Sequence, residues 1–326
     1  MINQVDVSKL KSLIDNAKKI SILSHESPDR DAVGSVLSLY QILLLMGKTE
    51  DQLKMILPTD YLIKDNFFKY QDKIIIGNIN KNIEDSDLLI FADMNKILRL
   101  GSEETKIRDD QRTVMIDHHS NEEDIKTDIY FREIISSNCE IIFEIFKNIV
   151  DLDLETSRTL LSGMYDDTGG FKFSGVTKRT LEIASILMEN GADISEIASE
   201  GDRLSEKMFE VGRIFMKNMV KDTEHRLIYS YLGLDDIKNL ELEYREITAA
   251  SDIFIQMFNN VENFDFVFFV KPKPNNKCSV SFRSKSEFNV RLIAEKIGGG
   301  GHKNASGATL EVEDPLEAVK RVLEII

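Results

Sequence analysis

Three short apolar runs each lead into an aspartate-bearing motif, and that repetition constrains the fold of this chain more than any other feature. KKISILS (18–24) leads into SHESPDRDAVGS (24–35), DLLIFAD (87–93) ends on Asp93, and RTVMID (112–117) ends on Asp117. Runs of this length and character read as strands. After the first, AVGSVLSLYQILLLMGK (32–48) has helical periodicity with a glycine near its end. Strands alternating with helices predict an α/β fold on a Rossmann-like, mainly parallel sheet, in which ligands bind outside the carboxyl ends of the strands. All three acidic motifs fall at that edge.

Helices are predicted at 137–150 and 155–166, the second running into MYDDTGGFKF (164–173), where a glycine pair stops it. TKRTLEIASILMEN (177–190) is another, and RLSEKMFEVGRIFMKNMVKDTEH (203–225) reads as one long mixed-charge helix connecting two domains. From Arg226 the pattern changes to RLIYSYL, a helix near 245–260, and the hairpin NFDFVFFVKPKPNNKCSVSFRS (263–284) with PKPNN as its turn. A helix at 289–297, four glycines (298–301), a strand and a helix follow. The expected organisation is a catalytic domain at 1–190, a connector at 191–225, and a smaller α/β domain on a mixed sheet at 226–326.

The 326 residues, 42% hydrophobic and 30% charged, are globular in character and enough for two domains. No apolar run approaches the roughly 20 residues of a membrane-spanning helix. MINQVDVSKLKSL lacks the apolar core of a signal peptide, so the expected setting is the cytoplasm, away from membranes. Cys139 and Cys278 are too few for a disulfide framework and read as buried or incidental thiols. A formal charge of −15 argues against coating long nucleic acid or duplex, which needs Lys and Arg on phosphates. Small phosphate ligands stay open, because bound metal or a few local cations reverse the field inside one cleft.

His25, Asp29 and Asp31 lie within seven positions, bracketed by Pro28 and Gly34. Alone, such a stretch is an ordinary polar turn. Further on come Asp93, Asp117-His118-His119 and Asp166-Asp167. Imidazole with several carboxylates suits manganese, admits iron, cobalt or zinc, and differs from a thiolate zinc site. The set exceeds what one ion requires. Two ions about 3.5–4 Å apart are the usual arrangement for in-line displacement at phosphorus, and Asp93, at the centre of the sheet edge, is the natural bridge.

These residues resemble the motifs of the DHH phosphoesterase superfamily: HxxxDxD followed by Ala-x-Gly-Ser (25–35), the acid in FADMN (91–95), DHH (117–119) and DDTGG (166–170). GGGGHKNASG (298–307) resembles the signature of the associated C-terminal domain. Length and motif order are most similar to the bacterial nanoRNase and 3′-phosphoadenosine 5′-phosphate (pAp) phosphatase group, relatives of which also cleave cyclic or linear di-adenylate. The resemblance implies two divalent cations, manganese first among them. One would sit on His25, Asp29 and Asp93, the other on Asp31, Asp93, His118 and Asp167. Asp167 is preferred to Asp166 because the family's ligand directly precedes Thr-Gly. His119 would then face the substrate phosphate, with Asp117 orienting His118 from behind. A homodimer is also implied. Arg30 departs from the pattern, standing where glycine is usual, as does Met94-Asn95, where Asp-Thr-Asn or Asp-Ser-x is more common.

The C-terminal domain is expected to hold the rest of the substrate, with the active site in the cleft between domains. Gly299, Gly300 and Gly301 let backbone N–H groups approach an anion, and His302 follows at once. Arg283, beside Ser284, can fork onto phosphate or stack on a base. The expected activity is metal-assisted hydrolysis of very short RNA or di-adenylates such as pApA and cyclic di-AMP, with removal of the 3′-phosphate of pAp. It would proceed by in-line attack without a covalent intermediate. An inorganic pyrophosphatase on the same metal cage and a nucleotide-sensing module without activity are the rivals. The glycine-rich stretch with His302 stands against the first, and the complete ligand set against the second. His225 reads as a cation at a helix C-terminus, FDFVFFV (264–270) as a buried central strand, and EED (122–124) as solvated surface.

Overall fold

The computed structural model describes residues 2–61, 67–101, 105–119, 127–201, 203–285 and 287–326; the acidic run 122–124 lies outside them. The chain divides into two compact units, Met1–Arg203 and Leu204–Ile326.

The first unit is built on strands β1 (Ile20–Leu23), β2 (Leu53–Leu57), β3 (Ile74–Ile76), β4 (Leu88–Ala92), β5 (Arg112–Asp117) and β6 (Ile129–Arg132). Its helices are α1 (Gln4–Asn16), α2 (Arg30–Leu45), α3 (Ile79–Ile83), α4 (Asn138–Phe146), α5 (Leu154–Asp167), α6 (Lys178–Glu189) and α7 (Ile194–Gly201). The strands form one parallel sheet in the order β3-β2-β1-β4-β5-β6. The order reverses between β1 and β4, and that reversal opens a crevice at the carboxyl edge.

Both faces of the sheet are covered, which is why its central strands read as continuous apolar runs. Ile20, Ile22, Ile90, Val114 and Ile116 belong to the core shared with α2, α4 and α5. Leu23, Leu89, Phe91 and Met115 form a second core on the opposite face. Burying side chains of this size stabilises by about 1.5–3 kcal/mol each.

The second unit contains α8 (Glu206–Lys217), β7 (Val220–Asp222), β8 (Leu227–Tyr231), α9 (Leu234–Leu240), α10 (Tyr244–Asn259), β9 (Phe266–Lys273), β10 (Lys277–Ser284), α11 (Arg291–Lys296), β11 (Gly300–Gly301), β12 (Ala305–Leu310) and α12 (Pro315–Leu323). Its mixed sheet runs β11-β12-β10-β9-β8-β7, parallel only between β8 and β9. Phe266 to Pro272 are buried on interior strand β9, so the apolar stretch is a central strand. The hairpin turn is narrower than predicted: Pro272 already pairs with Cys278, and Asn275 and Asn276 turn the chain at φ 66° and 57°. Asparagine tolerates that left-handed region better than most residues.

The long helix predicted over 203–225 is a correction. Helix α8 stops at Lys217, and Val220–Asp222 instead pairs antiparallel with β8. Asp222 Oδ1 accepts the N–H groups of Glu224 and His225 at 3.0 Å each, closing a turn that competes with helix. His225 therefore lies in a strand-to-strand turn and not at a helix end. Its Nδ1 is 2.8 Å from Asp222 Oδ2, and that carboxylate pushes the imidazole pKa up. Among the described residues no helix is long and apolar enough to cross a membrane.

Candidate metal centre

Four segments deliver the predicted side chains to the crevice at the β1/β4 reversal. Asp29 caps the N-terminus of α2, its Oδ1 accepting the Ala32 N–H at 2.9 Å. Asp31 follows within the first turn of that helix and is fully buried. Asp93 comes directly after β4, 1% exposed, in the left-handed region at φ 58°. A buried non-glycine residue held there costs of order 1–3 kcal/mol, a strain that clusters at functional sites. His118 and His119 follow β5, and Asp167 ends α5 before Gly169 and Gly170, at φ 57° and 67°.

The imidazoles of buried His25 and partly buried His118 have their tautomers set by carbonyls, which only accept. His25 Nδ1 lies 2.8 Å from the Glu26 carbonyl oxygen, and His118 Nδ1 lies 3.1 Å from that of Ile135. Each Nδ1 therefore donates, and each Nε2 turns to carboxylate. His25 Nε2 is 3.4 Å from Asp93 Oδ2; His118 Nε2 is 3.3 Å from Asp93 Oδ1 and 3.2 Å from Asp167 Oδ2. His25 Nε2 and Asp93 Oδ1 are buried without a hydrogen-bond partner. A lone pair facing a carboxylate across such distances is repulsive unless a proton or a cation lies between. The donor set fits divalent metal: atoms of His25, Asp29 and Asp93, of Asp31, His118 and Asp167, and of Asp93, His118 and His119 lie within 4.8 Å of one another in each group.

The electrostatics carry the same signature. Burial alone would pull the His118 imidazole down, but Asp93, Asp167 and Asp31 outweigh it and hold its pKa well above the ordinary value. Burial pushes Asp93 up, and the imidazoles of His118 and His25 facing its two oxygens overcome it, leaving that carboxyl well below the usual range. Asp31 is pushed up to about 7 by burial and then by Asp93. Asp167 is raised by burial and by Asp31 and Asp29. So many carboxylates crowded at one point require positive charge.

The cluster contains Asp167, whereas Asp166 Oδ2 lies 3.4 Å from the Arg30 backbone nitrogen. Asp117 is a correction. Predicted to orient His118, it lies against His119 instead, Oδ1 to Nδ1 at 2.7 Å, because the His118 Nδ1 already donates to Ile135. Arg30 is buried, donating to Ser162 Oγ at 3.4 Å with its guanidinium 5.9 Å from the Phe67 ring centre, so it packs beside α5 and leaves the loop uncrowded.

The sequence carries little signal for what braces the cluster. Asp31 accepts the N–H groups of Asn138 (2.6 Å) and Cys139 (3.2 Å) at the N-terminus of α4, where the helix dipole favours an anion. Only Ser137, a helix-capping residue type ahead of an apolar run, hints at it.

In the second unit the predicted substrate groups gather at one end of the sheet. Arg283 pairs with Ala305, whose carbonyl accepts the His302 N–H at 2.7 Å, and Gly301 pairs with Ser306. Arg283 also holds Asp252 at 3.2 Å. Ser284 Oγ donates to the Phe288 carbonyl at 2.6 Å and accepts from Asn304 Nδ2 at 3.0 Å, a bracing role. A side chain on Gly299 would strike the Gly307 carbonyl at 2.2 Å, and one on Gly301 would strike Ser306 at 2.7 Å, so both glycines permit β11 to approach β12. Gly300 faces open space.

The chain matches the model of the DHH family, N-terminal domain, over residues 19–165 and that of the DHHA1 domain over residues 225–326. It is similar to the bifunctional oligoribonuclease and PAP phosphatase NrnA of Mycoplasma genitalium, 28% identical over 93% of this chain and 92% of that protein. It is also similar to the cyclic-di-AMP phosphodiesterase PdeA of Listeria monocytogenes, 25% identical over 97% of this chain. There the chain spans about half of the relative, 48%, and it spans 36% of the length of another that it matches. The crystal structure of an exopolyphosphatase-related protein from Bacteroides fragilis shares the fold with a TM-score of 0.86 at 24% identity, covering 99% of this chain and 97% of that one. The chain thus carries a DHH family N-terminal domain followed in order by a DHHA1 domain.

Proposed function

We propose that this chain is a two-metal phosphodiesterase that hydrolyses short oligoribonucleotides and di-adenylates such as pApA and cyclic di-AMP, and removes the 3′-phosphate of pAp. The observation that carries the reading is the convergence of His25 Nε2 and His118 Nε2 on the two oxygens of Asp93. In this reading His25, Asp29 and Asp93 hold one divalent cation, and Asp31, Asp93, His118 and Asp167 hold the other, with manganese suited to the mixed nitrogen and oxygen donors. When bound, such ions polarise phosphate oxygens and make water a stronger nucleophile near neutral pH.

The protein's own groups do the rest. Asp93, in a strained backbone conformation, presents one oxygen to each half of the cluster. The carbonyls of Glu26 and Ile135 keep the protons of His25 and His118 on Nδ1, so that Nε2 stays a donor atom. Asp117 fixes the His119 ring through Nδ1, and His119 serves a phosphate oxygen or the departing ribose oxygen. Arg283, Ser284, His302 and Gly299 to Gly301 bind the nucleotide away from the scissile bond. The named activities of the Mycoplasma and Listeria relatives act on nucleotides and support this substrate class over pyrophosphate.

A manganese-supplemented assay of pAp, pApA, cyclic di-AMP, oligomers of three to five nucleotides and inorganic pyrophosphate tests it. Turnover of at least one nucleotide substrate, lost in Asp93→Ala, is the expected result. Turnover of pyrophosphate alone would overturn the reading.

A further inference from the structure

Arg99 stands apart from the other arginines of residues 2–201. Arg30, Arg108, Arg112, Arg132, Arg158 and Arg179 each donate to a carboxylate, hydroxyl or carbonyl. The Arg99 guanidinium makes no hydrogen bond or ion pair with any described residue, although it is partly buried in a chain with 56 acidic against 41 basic residues.

Its backbone ties it to the loop that carries His25. Arg99 lies in the helical turn Ile97–Leu100, six positions beyond Asp93, and its carbonyl accepts the Glu26 N–H at 2.6 Å. The Glu26 carbonyl in turn takes the His25 Nδ1 proton at 2.8 Å. Arg99 is thus two hydrogen bonds from the His25 ring, and its charge reaches that ring, opposing the pull of Asp29 and Asp93.

A guanidinium offers five N–H donors in a fork that matches phosphate. Unpaired beside a centre for phosphorus chemistry, it suits a phosphate that is not itself being cleaved. We propose that Arg99 binds the phosphate neighbouring the scissile one, so that the first unit itself selects nucleotides with a terminal 5′-phosphate. The proposal rests on the phosphodiesterase reading and adds to it a residue and a substrate feature.

The test compares kcat/KM for pApA and for ApA, with manganese, in the parent, Arg99→Met and Arg99→Lys. The parent prefers pApA, and Arg99→Met lowers that preference roughly ten-fold or more, the scale of one charge-assisted hydrogen-bonded pair. Arg99→Lys, with the charge but not the fork, falls between. A preference unchanged in a stably folded Arg99→Met protein overturns the proposal. Should that variant melt early, Arg99→Gln serves the same comparison.

Calorimetric binding of AMP and adenosine reads the same contact without turnover. Parent protein binding AMP more tightly than adenosine, with the difference reduced roughly ten-fold in Arg99→Met, supports the role. AMP bound no better than adenosine by the parent, or equally well by both proteins, overturns it. A parent that hydrolyses neither dinucleotide would sink the phosphodiesterase reading while the AMP titration still decided Arg99.

Discussion

His118 Nε2 lies 3.2 Å from Asp167 Oδ2, joining the end of β5 to the end of α5 across 49 residues of sequence. The same nitrogen is 3.3 Å from Asp93 at the end of β4. One imidazole therefore ties three separately predicted motifs together, and the consequences can be measured.

Manganese should stabilise the parent and leave Asp93→Asn unmoved. A ligand at 100 times its Kd adds about 2.7 kcal/mol to the folded state, a rise of a few degrees in Tm that a chelator reverses. Differential scanning fluorimetry with and without manganese checks it. An equal rise in Asp93→Asn would remove Asp93 from the ligand set.

Metal binding should release protons. Burial pushes Asp31 up to about 7 and raises Asp167 as well, so on the acid side these carboxyls hold protons that a cation must displace. Affinity should keep rising with pH through 7, because His118, held well above its ordinary value, must also give up its proton. Titration calorimetry in two buffers of different ionisation enthalpy reads the released protons directly.

Gly163→Ala should be destabilised by about 1–3 kcal/mol and should bind metal more weakly. A methyl group there would lie 2.4 Å from Cys139 Sγ and 2.7 Å from Asp31 Oδ1, forcing apart the crossing of α2 and α5. The double variant with Cys139→Ala should recover part of the stability but not the metal affinity, since the clash with Asp31 stays. Chemical denaturation and a manganese titration separate the two effects.

Lys271→Met should raise stability at neutral pH by about 1–3 kcal/mol. Lys271 is 3% exposed on β9, and burial lowers its pKa against the partial support of Asp252. With the folded pKa below the unfolded one, the folded state binds fewer protons between the two values, so the parent gains stability as pH rises through that window. The advantage of the variant should shrink there, and Tm measured from pH 7 to 10 shows whether it does.

Two kinds of information meet in this protein. The order of apolar runs, each leading into an acid, determined the parallel sheet and the edge at which ligands gather, because strand pairing and burial follow local pattern. The motif spacing likewise named His25, Asp29, Asp31, Asp93, His118 and Asp167, which the structure brings together. What lay behind them was illegible. Asp117 lies against His119 because a carbonyl 17 residues downstream had already taken the His118 proton, and Asp31 rests on α4 across more than 100 residues. The segment 203–225 reads as helix by local periodicity, yet its end joins a sheet whose hydrogen bonds only the folded second unit supplies. Local pattern selects elements and lists the reactive groups; which lone pair faces which oxygen depends on contacts between distant segments, and those exist only once the chain has packed.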